Sequence, residues 1–139
     1  MYVTDEITSA EYMDLRKIVG WGEFPLEEAE EGLKHSFKWC LREDESGRPI
    51  GLARLVWDHG YVMYLADVIV IPEYQGQGLG RFLMESVMEF INGQLKPGYR
   101  FMLTLVAAKG KESFYEKFGF VARPDEEHGA GMHQWIGMG

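Results

Sequence analysis

Three glycines alternate with side chains in Gln75-Gly76-Gln77-Gly78-Leu79-Gly80, directly after Val68-Ile69-Val70-Ile71-Pro72 and directly before Arg81-Phe82-Leu83. Glycines at the mouth of a helix leave backbone N–H groups uncovered, and the helix dipole adds partial positive charge there. That combination suits a phosphate or pyrophosphate. Two nucleotide-binding patterns fail on spacing. A Walker loop needs Lys-Ser or Lys-Thr after its last glycine, whereas Gly80 is followed by Arg81. A Rossmann fingerprint needs Gly-x-Gly-x-x-Gly and a second parallel unit, for which 139 residues leave no room.

The loop sits between two elements that position it. Val68 to Ile71 is an unbroken β-branched run, expected as a strand buried on both faces, and Pro72 ends it because it cannot donate to a ladder. Beyond the glycines, Leu79, Phe82, Leu83, Val87, Phe90 and Ile91 recur at three- and four-residue steps and predict one buried face of a helix. Upstream, Met1 to Thr4 is a candidate strand. Thr8 and Glu11 have capping-box spacing ahead of a helix over Ser9 to Val19, and Pro25 opens a second helix to about Ser36. Strands follow at Phe37 to Arg42, Pro49 to Asp58 and Tyr61 to Ile71, the last two joined at His59-Gly60. Arg100 to Ala107 reads as a buried strand and Lys111 to Phe118 as a short helix with Gly119 at its C-cap. Phe120 to Arg123 and Met132 to Ile136 read as closing strands. The expected class is α/β, a mixed sheet with helices on both faces, in one domain over residues 1–139.

A net charge of −8 argues against nucleic acid and anionic membranes as partners and is compatible with a cationic one such as an amine. Cys40 stands alone, so no intramolecular disulfide forms, and a reducing, cytoplasmic setting is expected. His35, His59, His128 and His133 show no metal-ligand spacing with one another or with Cys40, so no metal is expected.

Gln75, Gly78 and Gly80 fill the pattern Gln-x-x-Gly-x-Gly after Val-Ile-Pro-Glu, and Phe114-Tyr115-Glu116-Lys117-Phe118-Gly119-Phe120 follows downstream. Both motifs, in this order and separation, closely resemble those of the GNAT superfamily of N-acetyltransferases. The resemblance covers nearly the whole chain. It implies a mostly antiparallel central sheet, with a bulge in the fourth strand that opens a slot for the pantetheine arm of acetyl-CoA. It further implies direct attack of an amine through a tetrahedral intermediate, releasing CoA.

Acetyl transfer needs a neutral nucleophile near the thioester, stabilisation of the developing oxyanion and a proton for the leaving thiolate. By resemblance, Gly76, Gln77, Gly78, Leu79, Gly80 and Arg81, with Gln75 before them, hold the pyrophosphate. Val68, Ile69 and Val70 pair with pantetheine, the Val70 N–H polarising the carbonyl. Tyr115 matches the general acid, although a tyrosine there also serves as a core residue. Ala108 stands where the family often has an asparagine, so that contact is lost, made by backbone or replaced by Lys111 on a phosphate.

Asp67 lies near where several family members carry a general base, and Glu73 is its competitor, with a solvated turn carboxylate as its plain alternative. Trp21, Phe24 and Tyr64 are candidates for the acceptor pocket, or ordinary plugging between helices. The implied partner is a small-molecule or peptide amine, and a homodimer is an expectation from relatives. Two other readings stay open: a catalytically silent acyl-CoA-binding or sensing module, and an enzyme using a longer acyl donor, decided by pocket depth beside Ile69 and Leu105.

Overall fold

A computed structural model describes residues 1–137 of the chain. It resolves into two compact units, 1–105 and 106–139, and each is described by itself. The first holds β1 (Tyr2–Thr4), α1 (Ser9–Ile18), α2 (Leu26–Lys34), β2 (Phe37–Arg42), β3 (Pro49–Trp57), β4 (Val62–Val70), a 3-10 turn (Pro72–Tyr74), α3 (Leu79–Gly93) and β5 (Met102–Leu105). The sheet order is β1-β2-β3-β4-β5. Three pairings are antiparallel and the last, β4 with β5, is parallel.

Both faces of this sheet are covered by helices. Arg54 of β3 meets Tyr12 of α1, whereas Trp57, an odd number of residues further and so on the other face, meets Phe90 of α3 at 6.4 Å between ring centroids. Phe37 and Trp39 of β2 join that aromatic layer, at 4.9 and 5.5 Å from Phe90. On the first face Lys38 Nζ donates to the Leu33 carbonyl at 2.6 Å, satisfying an end carbonyl of α2 and tying the helix to β2.

Local sequence explains the helix starts. Thr8 is extended, its hydroxyl accepts the Glu11 N–H at 3.1 Å, and its own N–H donates to Glu11 Oε1 at 3.0 Å. Glu11 carries a second load, because Arg42 of β2 donates to Oε2 at 2.8 Å and to Oε1 at 3.1 Å. One carboxylate therefore caps α1 and fastens it to the sheet.

Several expectations are corrected. In α3 Leu83, Val87 and Ile91 are buried as expected, Met84 joins them, and Phe82 is instead 44% exposed. Around the Val68–Ile71 run, burial alternates, with Ile69 and Ile71 buried and Val68 and Val70 half-buried. A β-branched run reports strand preference, and burial depends on what covers each face. β5 is shorter than expected and only half-buried, being the edge of the sheet.

The second unit holds α4 (Glu112–Glu116), around which Phe114, Tyr115, Phe118 and Phe120 pack edge to face. No strand forms at Phe120 to Arg123 or at Met132 to Ile136. Val121, Met132 and Ile136 are 75%, 94% and 87% exposed. Alternating apolar residues become a strand only when a neighbour completes the ladder, and neither stretch has one among the described residues. Among the described residues no helix is long and apolar enough to cross a membrane.

The Arg42 guanidinium holds the Glu11 carboxyl down at about 2, against an ordinary 4.5. A carboxyl lowered in the folded state contributes stability that is complete above its unfolded value and is lost as pH falls through the folded one. Glu11→Gln should therefore unfold at lower urea than wild type near neutral pH. The gap should close as pH falls from 4.5 toward about 2, read by urea titrations at stepped pH.

Candidate functional site

The register between β3 and β4 slips at one point. Arg54 faces Asp67 and Leu55 faces Leu65, leaving Ala66 as an extra residue, a β-bulge. Pairing of β4 with β5 runs from Val62 to Leu65 and stops there. Past the bulge, β4 has a neighbour only on its β3 side.

The direction of each backbone group follows from one bond. Ile71 N–H donates to the Ile50 carbonyl of β3 at 3.0 Å. Successive residues of a strand point their N–H and C=O to opposite sides, so Val68 and Val70 point away from β3, into the space β5 has left. Neither N–H has a partner among the described residues. The Val70 carbonyl accepts from Gln75 Nε2 at 2.8 Å, so the first side chain of the glycine loop ties that loop to the open strand edge.

Gly76 and Gly78 both sit at φ +80°, the left-handed region that favours glycine. A Cβ built on either meets nothing within 4 Å, so the requirement is conformational, and the space above the turn is open. Gly78 caps α3 without any side-chain bond. The first helix-closing bond is Phe82 N–H to Gly78 carbonyl, which leaves the Leu79, Gly80 and Arg81 N–H groups uncommitted at the positive end of a fifteen-residue helix. The Arg81 guanidinium itself pairs with Glu85 at 2.7 Å along the exposed face. A strand of free N–H groups leading to a cradle of free N–H groups fits a molecule with an amide-bearing arm and a pyrophosphate, the shape of a coenzyme A thioester.

Asp67 is the first residue after the bulge and is 5% exposed. Its Oδ2 accepts the Tyr12 hydroxyl at 2.6 Å and Arg54 Nε at 2.6 Å, and its Oδ1 lies 3.6 Å from Arg16 Nη1. Burial, then the Asp67 charge, pushes the Tyr12 hydroxyl up from its ordinary 10. Arg16 reaches further: its Nε donates to the Gly22 carbonyl at 2.8 Å, and its guanidinium lies over the rings of Trp21 and Phe24 at 5.4 and 4.8 Å. The loop between α1 and α2 is thus held to the bulge through one arginine. Trp21 and Phe24 already stack on this internal cation. Tyr64 pairs with Val56, two residues from Arg54, so it shares the sheet face of Asp67 while remaining 38% exposed.

Glu73 stands apart, on the 3-10 turn, in an exposed pair with Arg48 at 3.0 Å. Tyr115 and Lys111 belong to the second unit: Lys111 caps α4, and burial pushes the Tyr115 hydroxyl up from its ordinary 10. The residues that sequence reasoning passed over are Arg16 and Arg54. Arg54 was visible as a lone charge in Leu52-Ala53-Arg54-Leu55-Val56, a strand position that demands a partner.

Known proteins match this chain along most of its length. The model of the acetyltransferase (GNAT) family matches residues 4–120. An uncharacterized N-acetyltransferase, ycf52, of Porphyra purpurea is 34% identical over 125 residues, covering 88% of this chain and 70% of that protein. The crystal structure of SA2161 from meticillin-resistant Staphylococcus aureus, a protein of unknown function described as a probable acetyltransferase, superposes with a TM-score of 0.83 at 31% identity, covering 97% and 98% of the two chains. The aminoglycoside N-acetyltransferase AAC(6')-Iy, solved with CoA, shares the fold at a TM-score of 0.64 and 20% identity, covering 88% of each chain.

Removing the Asp67 charge leaves two guanidinium groups without their counter-ion in a low-dielectric setting. Asp67→Asn should therefore cost about 3 kcal/mol in urea unfolding, while Glu73→Gln should cost at most about 0.5 kcal/mol.

Proposed function

Because the chain belongs to the acetyltransferase (GNAT) family, we propose that it is an acetyl-CoA-dependent N-acetyltransferase acting on a primary amine of a small molecule or peptide. The observation that carries this reading is the open edge of β4: Val68 and Val70 turn unpartnered N–H groups toward a space that leads to the glycine cradle of α3. Acetyl-CoA supplies an acetyl thioester whose carbonyl an amine can attack. The residues present fit it. Leu79, Gly80 and Arg81 offer N–H groups to the pyrophosphate, with Gly76, Gln77 and Gly78 forming the turn. Val68, Ile69 and Val70 extend the sheet onto the pantetheine amides, and the Val70 N–H, freed by the bulge, polarises the thioester carbonyl. Lys111 replaces the usual asparagine contact at Ala108.

Tyr115 holds the proton that the leaving thiolate takes. Its raised hydroxyl keeps that proton at neutral pH, as the role requires. Of the two carboxylates, Glu73 is committed to Arg48 at the surface, and both oxygens of Asp67 face cations or a donor. We therefore assign the removal of the amine proton to water on the Asp67 side of the slot, with Asp67 fixing Tyr12, Arg16 and Arg54 around it. Trp21, Phe24 and Tyr64 border the acceptor. The reading takes the whole chain as one catalytic domain working in a reducing, cytoplasm-like compartment, which the single buried thiol of Cys40 suits.

Calorimetric titration of acetyl-CoA, a longer acyl-CoA and free CoA tests the reading. Wild type should bind acetyl-CoA, and Gly78→Glu, which puts a side chain and a negative charge at a left-handed anion cradle, should lose at least about tenfold in affinity. Absence of binding to any of the three overturns the proposal. A silent binding module predicts binding with no acetylation of any amine.

Tyr115→Phe should lower kcat by about a hundredfold while changing the acetyl-CoA Kd by less than about threefold. Unchanged turnover removes Tyr115 from the reaction.

A further inference from the structure

The two halves of the glycine cradle are held differently. Leu79, Gly80 and Arg81 belong to α3, which the buried side chains of Leu83, Met84, Val87 and Ile91 anchor to the sheet. The strand-side half has no such anchor. The turn Pro72–Tyr74 contains no buried residue, and a Cβ on Gly76 or Gly78 would meet nothing within 4 Å. Its own bonds are short-range, Tyr74 N–H to the Ile71 carbonyl at 3.0 Å and Gln75 N–H to the Pro72 carbonyl at 3.2 Å. A segment without buried apolar contacts opens easily unless polar tethers fix it.

Besides Gln75, two tethers do so, and both lead to the turn between β2 and β3. Glu43 N–H there donates to the Arg48 carbonyl at 3.0 Å, and Glu43 Oε1 accepts the Ser46 hydroxyl at 2.8 Å and Arg48 Nε at 3.2 Å. That leaves Oε2 to accept the Tyr74 hydroxyl. The bond holds the Glu43 carboxyl below its ordinary 4.5 and the Tyr74 hydroxyl above its ordinary 10. Arg48 makes the second tether, its terminal nitrogens donating to Glu73 at 3.3 and 3.0 Å. The two differ in weight. Arg48 and Glu73 are 42% and 64% exposed, and a solvated ion pair contributes little. The Tyr74 hydroxyl, in a half-buried place, bonds a carboxylate already oriented by its own turn, and a bond to an ionised acceptor is the stronger kind.

We infer that Tyr74 is a positioning residue for the pyrophosphate cradle: through Glu43 it fixes the strand-side half, Gly76 to Gly78, against the helix-side half that α3 holds. The inference rests on the coenzyme A reading above and names what sets the affinity of that site. Without the tether the turn leaves its binding arrangement part of the time, and the apparent Kd for CoA rises as the competent fraction falls.

Calorimetric titration of CoA into wild type and Tyr74→Phe tests this, with amide hydrogen exchange followed in both free proteins. The variant loses only a hydroxyl. It should bind CoA about fivefold more weakly and exchange about tenfold faster at the amides of position 74 and Gln75, with those of Leu83, Val87 and Ile91 unchanged. Glu43→Ala should weaken CoA binding at least as much, and adding Tyr74→Phe to it should cost nothing further, since both remove the same bond. Equal CoA affinity in wild type and Tyr74→Phe overturns the inference and leaves the transferase reading in place. A further loss in the double variant overturns it as well, as does weaker binding with faster exchange throughout α3, which reports a general loosening. No CoA binding by wild type removes the cofactor reading and the inference with it.

Discussion

Where β4 stops pairing with β5, the sheet is left with an open strand edge. A sheet hydrogen-bonds its strands on both sides, and a strand that loses one neighbour exposes a row of N–H and C=O groups. Here the loss begins after Leu65, and Ala66 makes it abrupt by inserting an unpaired residue against β3. The slip reverses which sheet face the following residues meet, so Asp67 turns toward α1 while Met63 and Leu65, before the bulge, lie on the α3 side. It also aims Val68 and Val70 into open space. One extra residue thus accompanies both the open strand edge and the buried carboxylate beside it.

The charge cluster is the structural consequence of that reversal. A carboxylate brought against α1 at 5% exposure must be compensated. Arg54 from the neighbouring strand and Tyr12 from α1 do so at 2.6 Å each. Arg16 then links the bulge to the loop after α1 through Gly22, Trp21 and Phe24. Trp21 and Phe24 are thereby stacked on an internal arginine of the first unit. Glu11 plays a comparable double role at the other end of α1, capping the helix and pairing with Arg42.

Much of this was legible in the chain, because the features concerned are local. Thr8 and Glu11 announced a capping box, which depends on spacing alone. Pro72 marked the end of β4, and the glycines at 76 and 78 marked a left-handed approach to a helix, since few other residues adopt it at low cost. The two motifs that resemble the GNAT superfamily are likewise contiguous. The hairpin at His59-Gly60 and the boundaries of β2 followed from turn chemistry and alternation. By contrast, Phe120 to Arg123 and Met132 to Ile136 look like strands in isolation, and no ladder forms at either among the described residues.

By itself, then, the sequence determined most of the elements, the left-handed glycine turn before α3 and the family to which the motifs point, each resting on neighbours within a few residues. Only the tertiary structure decided where β4 slips, which way Asp67 faces and what its carboxylate meets. These depend on register between strands and on side chains that start far apart, Tyr12, Arg16 and Arg54 converging on Asp67 across three elements. A slip of one residue exchanges the faces of everything after it, and no local pattern reports that exchange.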